Sequence, residues 1–195
     1  YGTTSAGGTH AFGTIFMVTT LGTYTDLWEF DGVTGETPLG GLTLASDGNF
    51  YGTAAFGGTF NCGTVFRFTP PSTLTVLHAF NCSSDGQYPA VPPIQGADGN
   101  LYGVANSGTV YSIAMANGSF TPLSLAPPTV YAPLFLASDG NLYGTSAYGG
   151  DFDSGTVFRV STPGGAIKVL HSFNGSDGYN PMAPVLQGSD GYLYG

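Results

Sequence analysis

Four copies of one short motif, evenly spaced along the chain, constrain the fold more than any other feature. Ala-Ser-Asp-Gly-Asn-Phe-Tyr-Gly runs from Ala45 to Gly52, and Ala-Asp-Gly-Asn-Leu-Tyr-Gly from Ala97 to Gly103. Ala-Ser-Asp-Gly-Asn-Leu-Tyr-Gly runs from Ala137 to Gly144, and Ser-Asp-Gly-Tyr-Leu-Tyr-Gly from Ser189 to Gly195. Tyr1-Gly2 carries the tail of the same motif. The motif tyrosines at 1, 51, 102, 143 and 194 are separated by steps of 50, 51, 41 and 51 residues. A Gly-Thr-(Ile/Val)-(Phe/Tyr) segment follows each copy, at Gly13–Phe16, Gly63–Phe66, Gly108–Tyr111 and Gly155–Phe158. Leu-X-X-Phe comes next, at Leu27–Phe30, Leu77–Phe80 and Leu170–Phe173, and is degraded near Leu123 and Leu125. A proline-bearing segment, at Pro38, Pro89, Pro133 and Pro181, leads back to the first motif.

Each repeat reads as four short strands. Strand A is the proline-led apolar stretch, such as Pro133–Ala137. Strand B follows the Asp-Gly-Asn turn, such as Asn141–Ser146, strand C is Thr156–Val160, and strand D is Val169–Phe173. Asp-Gly between apolar runs signals a hairpin, because such turns need positive φ. Strand C alternates with a period of two, placing Phe16, Phe66, Tyr111 and Phe158 on one face as expected core residues. Four-stranded units repeating every 40–50 residues are the signature of propeller blades. The expected fold is all-β: one domain over residues 1–195, a β-propeller of four four-stranded blades with strand A innermost. Strand A of the last unit, Pro184–Gly188, would complete the first blade and close the ring. A part of a larger propeller and an open repeat array are the alternatives.

The motif order resembles the Gloeo/Verruco tandem repeat. The resemblance rests on Asp-Gly-Asn-Leu-Tyr-Gly-Thr-Ser, then Gly-Gly, Gly-Thr-Val-Phe, Val-Leu-His-Ser-Phe and Asp-Gly, and covers nearly the whole chain. Repeat three departs from it, lacking the double glycine. The resemblance implies a large, exported, surface-associated parent and brings no catalytic residues. The Asp-Gly-Asn-Leu-Tyr-Gly-Thr hairpin is also similar to the turns of sensor-domain propellers, which implies an inner strand A.

Charge narrows the partners. Twelve acidic residues against three basic ones give a net charge of -9, which argues against nucleic acid and against anionic membranes, since both need Lys and Arg. No apolar run approaches the ~20 residues of a spanning helix. Few lysines, abundant Gly and Ser, two cysteines and three Asn-X-Ser acceptors at Asn81, Asn117 and Asn174 point to a secreted or cell-surface setting. Cys62 lies just before strand C and Cys82 just after strand D, so antiparallel pairing would bring them within disulfide reach.

The candidate chemistry is sparse. His78 and His171 share one strand-D position with Trp28, which suits a blade surface better than a metal site. Asp151-Phe-Asp153-Ser-Gly155 has the opening spacing of a calcium loop but no following glutamate, so Asp151 and Asp153 are weak metal candidates. Asp47, Asp98, Asp139 and Asp190 recur at a turn position, which points to turn hydrogen bonds rather than to a catalytic pair. No nucleophile motif is present, and no cofactor is expected. The reading is a binding or structural module rather than an enzyme, with a protein, a carbohydrate or a further copy of itself as partner. Phe56, Phe60, Tyr148 and Phe152, in the loops between the double glycine and strand C, are the candidate ligand-binding residues.

Overall fold

The computed structural model describes residues 1–125 and 129–195, and every regular element among them is a β-strand. The first sheet holds β1 (Gly2–Thr4), β2 (Thr14–Val18) and β3 (Tyr24–Glu29). The second holds β4 (Thr43–Leu44), β5 (Phe50–Ala54), β6 (Thr64–Thr69) and β7 (Thr73–Ala79). The third holds β8 (Ile94–Gln95), β9 (Leu101–Val104), β10 (Thr109–Ile113) and β11 (Phe120–Leu125). The fourth holds β12 (Phe135–Leu136), β13 (Leu142–Ser146), β14 (Thr156–Val160) and β15 (Ile167–Ser172). The hairpin β16 (Leu186–Gln187) and β17 (Leu193–Tyr194) forms a fifth. Within each sheet the strands follow chain order and pair antiparallel, as the motif order predicts.

The expected sixteen strands in four closed blades are therefore corrected: the described residues form seventeen strands in five sheets. Pro184–Gly188 was expected to complete the first sheet. Instead its Leu186–Gln187 pairs with Leu193–Tyr194 across the Asp190-Gly191 turn, and the first sheet has three strands. The local hairpin closes a loop of a few residues, which costs far less chain entropy than bringing distant segments together. Contacts divide the chain into two compact units, residues 1–92 with the first two sheets and residues 93–195 with the other three.

The motifs now have physical causes. The glycine of each Tyr-Gly pair faces the strand-C aromatic across the ladder: Gly2 opposite Phe16, Gly52 opposite Phe66, Gly103 opposite Tyr111, Gly144 opposite Phe158. A Cβ at Gly52 would lie 2.5 Å from the Phe66 ring, and one at Gly144 2.7 Å from the Phe158 ring. The far end of the aromatic ring occupies the space a Cβ would need, so no side chain fits there without a shift. Phe66, Tyr111 and Phe158 are fully buried, as expected. Phe16 is only half-buried, which corrects the fourth assignment. Leu42 and Leu134 also close over Gly52 and Gly144, whereas the three atoms nearest a Cβ at Gly2 all belong to the Phe16 ring.

Leu-X-X-Phe marks a β-bulge. In β3, β7, β11 and β15 the register slips by one residue at Leu27, Leu77, Leu123 and Leu170. A bulge on the last strand of a sheet twists the open edge and protects it from further pairing. The closing phenylalanine anchors the strand end, with the amides of Phe30, Phe80 and Phe173 donating to the carbonyls of Gly13, Gly63 and Gly155 at 3.0, 2.9 and 2.9 Å. The recurring proline packs on that same glycine: a Cβ at Gly13 or Gly155 would lie 2.8 or 2.5 Å from the Cδ of Pro38 or Pro181. Unit one packs around Ile15, Phe30, Ala54, Phe66 and Phe68, and unit two around Tyr102, Val110, Leu142, Phe158 and Val160. In unit two β8 and β12 lie against each other, so strand A is the edge on which the third and fourth sheets converge.

Candidate functional site

The double-glycine loops share one backbone. In repeats one, two and four the sequence positions Gly7–Gly13, Gly57–Gly63 and Gly149–Gly155 correspond one to one. Both leading glycines have positive φ, as does the fifth residue, Ala11, Asn61 or Asp153. In repeats two and four that fifth side chain ties the loop: Asn61 Oδ1 accepts from Gly57 N, and Asp153 Oδ1 from Gly149 N, both at 2.9 Å. The second glycine lets the loop settle onto strand D, since a Cβ at Gly150 would lie 2.8 Å from Ser172 Oγ. The fourth residue, His10, Phe60 or Phe152, is thrown outward, with Phe60 54% and Phe152 61% exposed.

In repeat four this loop and β15 enclose an open groove of about 400 Å³, lined by Gly150, Asp151, Phe152, Val169, Leu170, His171 and Ser172. One lining residue, His171, belongs to a recurring His–Asp pair. His171 Nε2 lies 2.9 Å from Asp177 Oδ2, and His78 Nε2 lies 2.7 Å from Asp85 Oδ2 in repeat two. The second carboxylate oxygen of each aspartate accepts a backbone amide, from Asn174 and Asn81. The Asn174 amide, helped by His171, holds Asp177 below the usual carboxylate range despite some desolvation. An ionised carboxylate only accepts, so His171 Nε2 carries the proton and Nδ1 is left as an acceptor in the neutral ring. Burial lowers the His78 pKa, against the opposing pull of Asp85. His171 is the more open of the two, its side chain 51% exposed against 19% for His78.

Of the four aromatics singled out, Phe152 lines the groove, and Phe60 and Tyr148 stand exposed. Phe56 folds back: it is half-buried, its ring meets Tyr88 edge-on at 4.9 Å, and its backbone bridges to Glu36. Asp153 is tied to the loop by its bond to Gly149, in the role Asn61 plays in repeat two. Among the described residues no group of three His, Cys, Asp or Glu side chains is arranged to hold a metal ion. Cys62 and Cys82 form a disulfide with their α-carbons 5.6 Å apart, tying the second loop to the end of strand D. Asn81, Asn117 and Asn174 each open an Asx turn, accepting the amide of Ser83, Ser119 or Ser176 at 3.0, 3.0 and 2.9 Å. Each recurring turn aspartate is engaged by its own turn. Sequence reasoning missed the His–Asp pair, although His-X-Phe-Asn followed by Asp-Gly stands in both repeats.

Residues 1–115 and 104–195 match the Gloeobacter/Verrucomicrobia repeat. The chain belongs to this repeat family. A search of curated proteins by sequence finds no match. Several solved structures are similar in fold. Virginiamycin B lyase from Staphylococcus aureus aligns with a TM-score of 0.66 and 17% identity, over 94% of this chain and 56% of the lyase. The extracellular domain of the BT4673 one-component system from B. thetaiotaomicron aligns with a TM-score of 0.66 and 10% identity, over 94% of this chain and 24% of that domain. A protein designated a 6-phosphogluconolactonase, from Bacteroides uniformis, aligns with a TM-score of 0.53 and 16% identity, over 93% and 56%. The repeat-family chain thus has a β-propeller-like fold and spans about half the length of the lyase and a quarter of the sensor domain.

Proposed function

We propose that the chain is a secreted or cell-surface repeat module that works by interaction or assembly rather than by catalysis. One observation carries this reading: a single rigid loop backbone recurs in three repeats with different outward side chains, Thr9-His10, Thr59-Phe60 and Asp151-Phe152. A recurring scaffold that presents different side chains at its exposed tip is how binding surfaces are diversified. The disulfide and the extracellular domains among the structural neighbours support the location. The sheets read as consecutive blades of a propeller larger than four blades, since the neighbours of the same fold are longer than this chain. The Asx-turn asparagines stay open to glycan attachment in a host that glycosylates such acceptors.

Two measurements test the proposal. Protease added to intact source cells should reach the module; full protection would overturn the location. Replacing His10, Phe60 and Phe152 together with serine should leave the melting temperature unchanged and abolish attachment to the partner surface. Unchanged attachment would overturn the interaction role of the loops.

A further inference from the structure

We propose that the groove of repeat four binds a neutral saccharide, one sugar ring stacking on Phe152 and its hydroxyls bonding to Asp151, His171 and Ser172. The inference rests on the interaction reading and names the ligand class of one loop. The groove is concave and open, with Phe152, Val169 and Leu170 all exposed on its walls at 61, 41 and 44%. Beside these apolar surfaces the lining holds three polar residues, Asp151, His171 and Ser172. Asp177 holds the imidazole in place through Nε2, so Nδ1 is a positioned polar atom that accepts in the neutral ring. Acceptors outnumber donors, which suits a ligand rich in O–H groups.

The alternatives fit less well. An anion would face Asp151 with neither Lys nor Arg on the lining. An ammonium group would gain from Asp151 and the Phe152 ring but would leave Val169 and Leu170 against a strongly hydrated charge. The C–H face of a sugar covers those side chains while its rim supplies the donors.

The sister loops lack the set. Repeat two has Thr59 for Asp151 and Ala79 for Ser172, and its histidine is more enclosed. Repeat one has Thr9 and Glu29 there, and Glu29 Oε2 accepts from Thr9 N at 2.8 Å, spending the carboxylate on the loop itself.

The test is amide NMR on the whole chain titrated with cellotetraose, xylotetraose and mannotetraose. At least one should shift the amides of residues 150–152 and 170–172 saturably. Phe152→Ala and Asp151→Ala should each weaken that binding about tenfold or more, the equivalent of about 1.4 kcal/mol, with Leu21→Ala, at an exposed residue outside the double-glycine loops, as an unaffected control. Silence from all three sugars, or shifts that Phe152→Ala leaves intact, would overturn the inference. A response of the same amides to a blocked lysine tripeptide but not to sugar would overturn the ligand class alone. Failure of the interaction reading shows separately, as attachment that survives the triple loop substitution.

Discussion

At the scale of single residues, one aspartate per repeat closes the turn between strands A and B. In Asp47 one oxygen accepts the Asn49 amide at 3.0 Å, and the other accepts the Asn49 side chain at 2.7 Å and the Tyr51 hydroxyl at 2.8 Å. Asp98 with Tyr102, Asp139 with Tyr143 and Asp190 with Tyr194 repeat the tie at 2.7, 2.8 and 2.6 Å. Desolvation alone would raise Asp47 and Asp98, but these bonds outweigh it and hold both carboxyls below their ordinary range. Burial, reinforced by the aspartate, pushes Tyr51 and Tyr102 up to about 12. The signs give two limbs. The lowered carboxyls stabilise the fold above the ordinary carboxylate pKa of about 4, and that contribution is lost as pH falls through their folded values. The raised phenols stabilise it below about 10, and theirs is lost as pH rises toward 12. Urea melts across pH should show a plateau between these limbs. Tyr102→Phe should lower the plateau by about 1 kcal/mol and make the alkaline fall shallower. Thr37 is a second residue of interest, a β-branched side chain at φ 57° before Pro38, where repeat four has Asn180 at 51°. Thr37→Asn should raise stability by roughly 1 kcal/mol, read from the urea midpoint, because asparagine tolerates the left-handed region better.

At the scale of the strand, the pairing of glycine with aromatic sets the packing. Gly144→Ala would drive a methyl to 2.7 Å from the Phe158 ring and 2.8 Å from Leu134. The expected cost is about 1–3 kcal/mol for overpacking, measured by thermal or urea unfolding. Truncation of the rings separates the sheets. Phe66→Ala, at a fully buried site meeting Phe30 edge-on at 5.3 Å, should cost about 3–5 kcal/mol. Phe16→Ala, at the half-buried counterpart, should cost clearly less. Equal losses would show that the first sheet is as enclosed as the second.

At the scale of the whole molecule, the disulfide lies wholly within the first of the two compact units. It spans a separation of 20 residues, which in the chain-entropy model stabilises by roughly 3 kcal/mol. Amide hydrogen exchange followed by mass spectrometry, with and without reductant, should therefore show faster exchange across residues 1–92 and little change across 93–195. Acceleration of equal size in both would mean that the units open as one cooperative body.

Residue order by itself determined the repeat, the all-β class, the antiparallel succession of four strands and the pairing of Cys62 with Cys82. These follow from local signals: an Asp-Gly turn, a two-residue alternation and cysteines placed at matching strand ends. Tertiary structure decided what depends on surfaces meeting. The Tyr-Gly glycine is small because Phe66 or Phe158 lies on it from the next strand, and the turn aspartate matters because a tyrosine four residues on reaches back to it. Leu-X-X-Phe is a bulge, which shows only in a register. Phe16 and Phe66 read alike on paper, yet only Phe66 is fully buried. Pro184–Gly188 could be assigned equally to a distant sheet or to its own hairpin, and the short loop won because it costs less chain entropy. The groove appeared only when the loop at Asp151-Phe152 was laid beside His171 and Ser172, residues that sequence separates but a shared glycine contact brings together.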